Sequence, residues 1–109
     1  MAYDEDLADR IREILSGRKY VEKKMFGGLA FLIGGNMSVA ASGQGGLLVR
    51  VDPAENDTLL TEPGAAPMEM GGRGPMTGWI RVEAGVLDAA TLKRWVSRGV
   101  GYAEKLPAK

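Results

Sequence analysis

The sequence contains neither cysteine nor histidine, and these two absences exclude several kinds of chemistry. Without cysteine there is no disulfide, no thiolate nucleophile and no cysteine metal site, which fits a reducing compartment. Without histidine the Ser-His-Asp, Cys-His and histidine–metal mechanisms are excluded, because their general base or metal ligand is missing. The sequence therefore favours a non-enzymatic protein without a cofactor, although Asp, Glu, Lys and Tyr remain available for acid–base catalysis.

The chain also lacks a net charge and a long apolar run. Its 14 basic and 14 acidic residues cancel, so no overall field attracts nucleic acid or an acidic membrane surface. The N-terminus is charged where a signal peptide would be apolar, and no run approaches the ~20 apolar residues of a membrane helix. We expect a cytoplasmic protein with one domain over residues 1–109 and a single core.

Three short apolar runs separated by glycine lie between residues 23 and 51. In residues 29–33 the apolar side chains alternate with a period of two, which is typical of a pleated strand. Residues 34–36 and 43–46 provide turns, since glycine and asparagine tolerate positive φ. The pattern predicts a three-stranded antiparallel meander.

Helical patterns occupy residues 4–15, 53–61 and 88–106. The first and last have an apolar stripe with a spacing of three and four residues, and the middle one is short because Pro63 prevents its continuation. Asp4, Asp52 and Asp88 are the predicted N-caps. The stretch between the last two helices is rich in glycine, proline and methionine, and we predict an edge strand at residues 68–70 and a strand at 79–83.

The element order α-β-β-β-α-β-β-α predicts the fold class. We expect an α+β two-layer sandwich, in which an antiparallel sheet of five strands carries the helices on one face. The core should lie between the sheet and the terminal helix and contain Phe26, Leu29, Phe31, Ile33, Leu92, Trp95 and Val96.

No phosphate-binding or metal-binding motif stands out. The glycine clusters lack the Gly-Lys-Ser/Thr end of a Walker loop, and no acidic loop has the calcium-binding spacing. Residues 71–74, Gly-Gly-Arg-Gly, could surround an anion, but a hairpin turn is the simpler interpretation. The sequence therefore indicates no catalytic, cofactor-binding or metal-ligating residue.

Basic and apolar residues together define a candidate interaction surface. A basic group could form from residues 18–24 with Arg50 and Arg73 as neighbours, and a solvated face is the simpler alternative. The methionines of residues 68–76 and the nearby Trp79 could offer an adaptable apolar surface to a partner, or fill the core under a long loop. The candidate residues are Lys23, Lys24, Arg50, Met68, Met70, Arg73, Met76 and Trp79.

Several of these features occur together in one known family. The acidic first helix, KMFGG at residues 24–28, LLVRV at 47–51, Pro67-Met68 and the Trp95 helix resemble the N-terminal domain of the TfoX (Sxy) competence regulators. The resemblance implies a two-layer sandwich similar to the type III secretion chaperone fold, and it implies no catalytic residues. Full-length members are associated with regulation of DNA-uptake genes. This sequence lacks their C-terminal helix-hairpin-helix-like domain, so we expect a stand-alone member.

We therefore expect a non-enzymatic binding or regulatory module that acts through protein contacts and forms a homodimer through residues 67–79. The alternatives are a small ligand-binding or enzymatic domain that uses arginine and carboxylates, or a weak nucleic-acid binder. A deep pocket with Arg50 and a carboxylate would favour ligand binding, whereas a flat apolar patch would favour protein contacts.

We predict that the chain forms no specific complex with duplex DNA at physiological salt. If Lys23, Lys24 and Arg50 bind the duplex at low salt, the affinity should fall steeply between about 50 and 200 mM salt, because counterions are released. Fluorescence anisotropy of a labelled duplex measures this dependence. A sequence-specific complex that persists at physiological salt would contradict the prediction.

Overall fold

A computed structural model describes residues 3–25, 27–43, 45–69 and 75–108, apart from the side chains of residues 69, 75 and 76. This part of the chain forms three α-helices and six strands. In chain order they are α1 (Glu5–Ile14), β1 (Val21–Met25), β2 (Gly28–Ile33), β3 (Asn36–Ala41), β4 (Leu47–Arg50), α2 (Asn56–Leu59), β5 (Ala65–Glu69), β6 (Pro75–Val82) and α3 (Ala89–Lys105).

The three predicted N-caps are confirmed. The Asp4 carboxylate accepts hydrogen bonds from two backbone N–H groups in the first turn of α1, at 3.0 and 3.2 Å. Asp88 accepts one from the Thr91 N–H at 2.8 Å, and this bond lowers the pKa of Asp88. Asp52 caps a 3-10 turn at Pro53–Glu55, after which α2 adds one α-helical turn. The predicted helix at 53–61 is thus a 3-10 turn and a short helix, ended where the Thr61 hydroxyl donates to the Thr58 carbonyl.

The six strands form one open antiparallel sheet in the order β1-β2-β3-β4-β6-β5. Strands β2, β3 and β4 are the predicted meander, and the α+β class is confirmed. The predicted number of five strands was wrong, because β1 pairs with β2 as an additional edge strand. Its sequence VEKKM lacks a clean apolar alternation, since an edge strand with little burial needs none.

The β5–β6 hairpin begins and ends earlier than the pattern predicted. Strand β5 is Ala65–Glu69 where residues 68–70 were expected, and β6 is Pro75–Val82 where 79–83 were expected. The pairing extends further back because the Glu83 N–H donates to the Gly64 carbonyl at 2.9 Å. Residues 70–74, which include Met70 and the predicted turn, lie outside the described residues.

The helices lie on one face of the sheet and enclose the main core. Helix α3 packs across β3 and β4, and α1 packs against α3 and β3. The predicted core residues Leu29, Phe31, Ile33, Leu92, Trp95 and Val96 are all buried there, while Phe26 lies outside the described residues. This arrangement confirms the predicted two-layer sandwich.

Close contact between α3 and β3 depends on a glycine and a bulge. The β2–β3 register shifts so that Phe31 pairs with Val39 and Leu32 with Met37, which leaves Ser38 without a partner. The Ser38 hydroxyl donates to the Phe31 carbonyl at 2.8 Å. A Cβ at Gly99 would lie 2.5 Å from the Ser38 carbonyl oxygen, so only glycine allows this approach.

An ion pair holds the edge strand β1 against α1. The Arg12 guanidinium donates to both carboxylate oxygens of Glu22, at 2.7 and 2.9 Å, and also bonds Asp9. These hydrogen bonds lower the pKa of Glu22. The bidentate geometry therefore fixes the orientation of β1 relative to the helix layer.

We predict that Gly99→Ala and Gly101→Ala have opposite effects on stability. The first should lower the free energy of unfolding by about 1–3 kcal/mol, because the new methyl group collides with the Ser38 carbonyl. The second should raise it by up to about 1 kcal/mol, because a Cβ there meets no atom and alanine favours a helix. Urea unfolding measures both. Equal stability of the two variants would contradict the close contact between Gly99 of α3 and the Ser38 carbonyl of β3.

We also predict that the Arg12–Glu22 pair makes stability depend on pH. Since the folded pKa of Glu22 is lowered, the pair stabilises the fold above the ordinary glutamate pKa and is lost as the pH falls through the lowered value. Glu22→Gln should reduce the free energy of unfolding near neutral pH by about 1 kcal/mol or less, and the difference should vanish in acid.

The control for this prediction is Glu104→Gln. Glu104 pairs with Arg18 at 2.9 Å, and both side chains are 51% exposed, so its removal should matter less. Denaturation curves of the three proteins at several pH values decide the point. If the difference in free energy of unfolding between the wild type and Glu22→Gln grew as the pH fell, the predicted direction of the pH dependence would be wrong.

Candidate interaction surface

The sheet has a second face, which the helices do not cover. Strand residues that alternate with the core residues point to this side, and the strand register aligns them across the six strands. One row is Lys23, Ala30, Ala40, Leu48, Arg81 and Ala66. We call this side the helix-free face, and its residues are Val21, Lys23, Met25, Ala30, Leu32, Met37, Ala40, Leu48, Arg50, Ala66, Met68, Trp79 and Arg81.

A second apolar cluster occupies the helix-free face. Its buried members are Ala30, Met37, Ala40, Leu48 and Met68, and Met25, Leu32 and Trp79 pack around them half-buried. Among the described residues, the exposed large hydrophobic side chain is Val21, which is 64% exposed and lies on the same face. The helix-free face therefore has an apolar centre with accessible apolar side chains around it.

The described strand residues of this face carry positive charge. Within the described strand residues they are Lys23, Arg50 and Arg81. Lys23 is exposed, and the two arginines are half-buried. Arg81 donates to the Gly45 carbonyl at 3.2 Å. Glu83, which follows β6, lines the same groove as Arg81.

Arg50 contacts two aromatic rings from different elements. Its guanidinium carbon lies 5.4 Å from the centre of the Trp79 ring, on the neighbouring strand, and 5.7 Å from the centre of the Tyr102 ring, on α3. These are cation–π distances. The sequence pattern missed Tyr102, although its position three residues after Gly99 places it on the part of α3 that approaches the sheet.

The family model of the TfoX N-terminal domain matches residues 13–103, which is most of the chain. The chain belongs to the TfoX N-terminal domain family. The match begins within α1 and ends within α3, so it includes the whole sheet and the helix-free face. No curated protein and no solved structure matches the chain at a significant level.

The candidate basic residues of this TfoX N-terminal domain do not form one surface. Lys23 and Lys24 are neighbours in β1, so their side chains point to opposite sides of the sheet. Arg18, expected beside them, is paired with Glu104. Of the predicted cations, the structure places Lys23 and Arg50 on the same face, and Arg73 lies outside the described residues.

The predicted apolar residues are divided in a similar way. Met68 and Trp79 both lie on the helix-free face, where Trp79 pairs with Arg50 and Met68 is only 8% exposed in the folded chain. Met70 lies outside the described residues, and the side chain of Met76 is not among the described ones. Core filling, which the sequence left open, thus accounts for Met68.

Two grooves of the described surface are not lined by Arg50. One, of about 410 Å³, is lined by Arg81, Glu83, Pro67 and glycines of the neighbouring turns. The other, of about 150 Å³, lies between α3 and the 3-10 turn. Arg50 is in the lining of neither, so the combination of a pocket, Arg50 and a carboxylate is not present in these two grooves.

The described residues provide no group of three or more carboxylate side chains that could hold a metal ion. Over the same part of the chain, no helix has both the length and the apolar character needed to cross a membrane.

Proposed function

We propose that this TfoX N-terminal domain is a non-enzymatic, regulatory protein-binding module that docks its partner on the helix-free face. The observation that carries the proposal is the second apolar cluster, which lies on the side of the sheet that has no helix layer. Covering Leu32, Met25 and Trp79 would remove apolar surface from water, which is the main driving force of most protein association. Membership of a family of competence-regulator domains supports a regulatory role.

The chemistry of the face indicates the chemistry of the partner. The described strand cations of the face are Lys23, Arg50 and Arg81, and Glu83 lines the same groove as Arg81, so Lys23 and Arg50 are the cations that carry the argument. A complementary surface combines apolar side chains with aspartate or glutamate, because opposite charges across an interface raise the association rate and exclude wrong partners. We therefore propose a separate protein with an acidic, apolar segment as the partner.

A second copy of the chain fits this face less well. A two-fold contact brings the same patch of both copies together, so it would place these three cations against their counterparts. The edge of β5 is also poorly equipped for strand pairing. The Ala65 N–H already donates to the Glu62 carbonyl, and Pro67 has no N–H to offer. A homodimer through residues 67–79 thus becomes the competing outcome of the experiment below.

Support for a non-enzymatic role comes from the chemistry that the chain carries. It has no histidine and no cysteine, and the described carboxylates do not gather in a group of three or more. Of the four ion pairs among the described residues, Arg12–Asp9 lies within α1 and the other three join different parts of the fold, as in Arg98–Glu62 at 2.7 Å. This pattern is typical of structural pairs rather than of an acid–base site.

We predict that a photoreactive amino acid at Leu32 captures a specific protein in host cells. The full-length chain carrying the same group at Lys93, an exposed position of α3, should capture much less of that protein. Mass spectrometry should find the crosslink in a peptide that contains aspartate or glutamate among apolar residues. This crosslinking result depends on the helix-free face alone and does not require that Arg50 binds a carboxylate.

Two neighbouring lysines provide the matched control. Lys23→Glu places a negative charge on the helix-free face and should reduce capture from position 32 about fivefold, since an exposed charge pair contributes up to about 1 kcal/mol. Lys24→Glu changes the same charge on the opposite side and should leave capture unchanged. Crosslinks mainly to a second copy would favour the homodimer, and capture that is stronger from position 93 would reject the face.

A further inference from the structure

We infer that Arg50 is a receptor for a carboxylate group and anchors an acidic side chain of the partner protein. The protein origin of the carboxylate rests on the function proposed above, whereas the receptor itself is argued from the surroundings of Arg50. The inference adds a named binding residue and a ligand chemistry to the helix-free face.

The guanidinium of Arg50 is held in place by its neighbours. Arg50 pairs with Trp79 across the β4–β6 ladder, and the next residue, Val51, donates to the Gly78 carbonyl at 2.8 Å. The Trp79 and Tyr102 rings lie 5.4 and 5.7 Å from the guanidinium carbon. One ring belongs to the sheet and the other to the terminal helix, so the position of the cation is fixed by both layers.

The hydrogen-bonding groups of Arg50 have no acceptor in the described part of the chain. The other half-buried arginines there all have one: Arg10 donates to the Leu87 carbonyl, Arg12 to Glu22, Arg81 to the Gly45 carbonyl and Arg98 to Glu62. Within the described residues, the side-chain contacts of Arg50 with other groups are those with its two rings. It is therefore a half-buried cation whose donors are left for water or a ligand.

This geometry suits a carboxylate for two reasons. The five N–H donors of the guanidinium lie in its plane, and the two ring contacts supply none of them with an oxygen acceptor. Two parallel N–H groups then match the two oxygens of a carboxylate. Because the side chain is already ordered by the rings, binding costs less conformational entropy than it would for a free surface arginine.

The surroundings favour a carboxylate over a phosphate. Arg50 pairs with Trp79 and follows Leu48 by two residues on β4, so an acid attached to apolar groups would bury them beside the ion pair. Phosphate sites normally add several backbone N–H groups or further cations around the oxygens. Here one guanidinium supplies the charge, which matches a singly charged acid.

A purely structural role for Arg50 makes a different prediction. If the side chain only fills space between the strands and α3, its N–H groups should respond to carboxylates no more than those of Arg94. Arg94 is exposed on the helix layer and has no cation–π contact within the described residues, so it reports the general effect of ions. The comparison therefore separates a receptor from a packing residue.

The test is an NMR titration of the purified, full-length ¹⁵N-labelled chain, in which the Nε–Hε signals of Arg50 and Arg94 are followed. The probes are sodium propionate and two capped tripeptides, acetyl-Leu-Asp-Leu-amide and acetyl-Leu-Asn-Leu-amide, with sodium chloride and sodium phosphate at equal ionic strength. We expect the Arg50 signal to shift saturably with propionate and with the aspartate peptide. The aspartate peptide should bind about tenfold more tightly than propionate, because its leucines also cover the face.

The asparagine peptide differs by one charged group and should bind at least about tenfold more weakly than the aspartate peptide. Arg50→Lys should weaken binding of the aspartate peptide to a similar degree, because lysine keeps the charge but lacks the planar pair of N–H donors of the guanidinium. Arg94→Lys should leave binding of this peptide unchanged. The shifts of other face residues, such as Leu32, report binding to the lysine variant. If Arg50→Lys does not fold, the comparison of the aspartate and asparagine peptides on the wild-type chain still tests the inference.

Several results would overturn the inference. Equal shifts at Arg50 and Arg94, equal binding of the two peptides, or tighter binding of phosphate would each reject a carboxylate receptor. An aspartate peptide no tighter than propionate would reject the protein origin of the acid. Capture from position 32 in cells without a response at Arg50 would reject the anchor alone, whereas a response at Arg50 without that capture would reject the docking face.

Discussion

The close contact between α3 and β3 is the constraint on which the rest of the structure depends. Gly99 lies against the Ser38 carbonyl, and it can do so because Ser38 is the unpaired residue of the β-bulge. A helix at this distance buries Trp95, Val96 and Val100 of its apolar stripe against the meander. The same approach brings Tyr102 beside Arg50. Core and candidate site are therefore fixed by one backbone contact.

The helix-free face follows from having one helix layer on a sheet with two sides. Three helices cover one side, and the described residues include no further helix for the other. An antiparallel sheet often leaves that side polar and solvated. Here Leu48, Met37 and Met68 occupy it instead, with Arg50 beside them. This departure from a polar outer face is the observation on which the proposed docking surface rests.

Local patterns were sufficient for much of the fold. The N-caps Asp4, Asp52 and Asp88, the period of two in β2 and the stripe on α3 are signals of neighbouring residues, and the structure contains each of them. The KMFGG segment identified the family that the domain model also matches. Strand β1 was less accessible to this reasoning, because VEKKM is a strand through its pairing with β2 and has no strong pattern of its own.

The candidate site depended on contacts that local patterns do not contain. Separating Lys23 from Lys24 needed the knowledge that both lie in one strand, and pairing Arg50 with Trp79 needed the register of β4 and β6. The contact of Arg50 with Tyr102 joins residues far apart in the sequence, so it became visible only in the packed structure. On the β5–β6 hairpin, Met68 is a buried member of the apolar cluster whereas Trp79 is only partly buried beside it, and the sequence pattern did not distinguish the two.

The packing of α3 has a consequence for the order in which the domain is made. All six strands and α1 precede α3 in the chain, so during synthesis the meander leaves the ribosome before the helix that covers it exists. Until α3 arrives, α1 and the short α2 are the α-helices available to cover the core side chains Phe31, Val39 and Val49. Nascent chains would therefore carry an incompletely covered sheet, whose core closes in one late, long-range step. Chaperone contacts with this domain should accordingly concentrate on chains that have not yet completed α3.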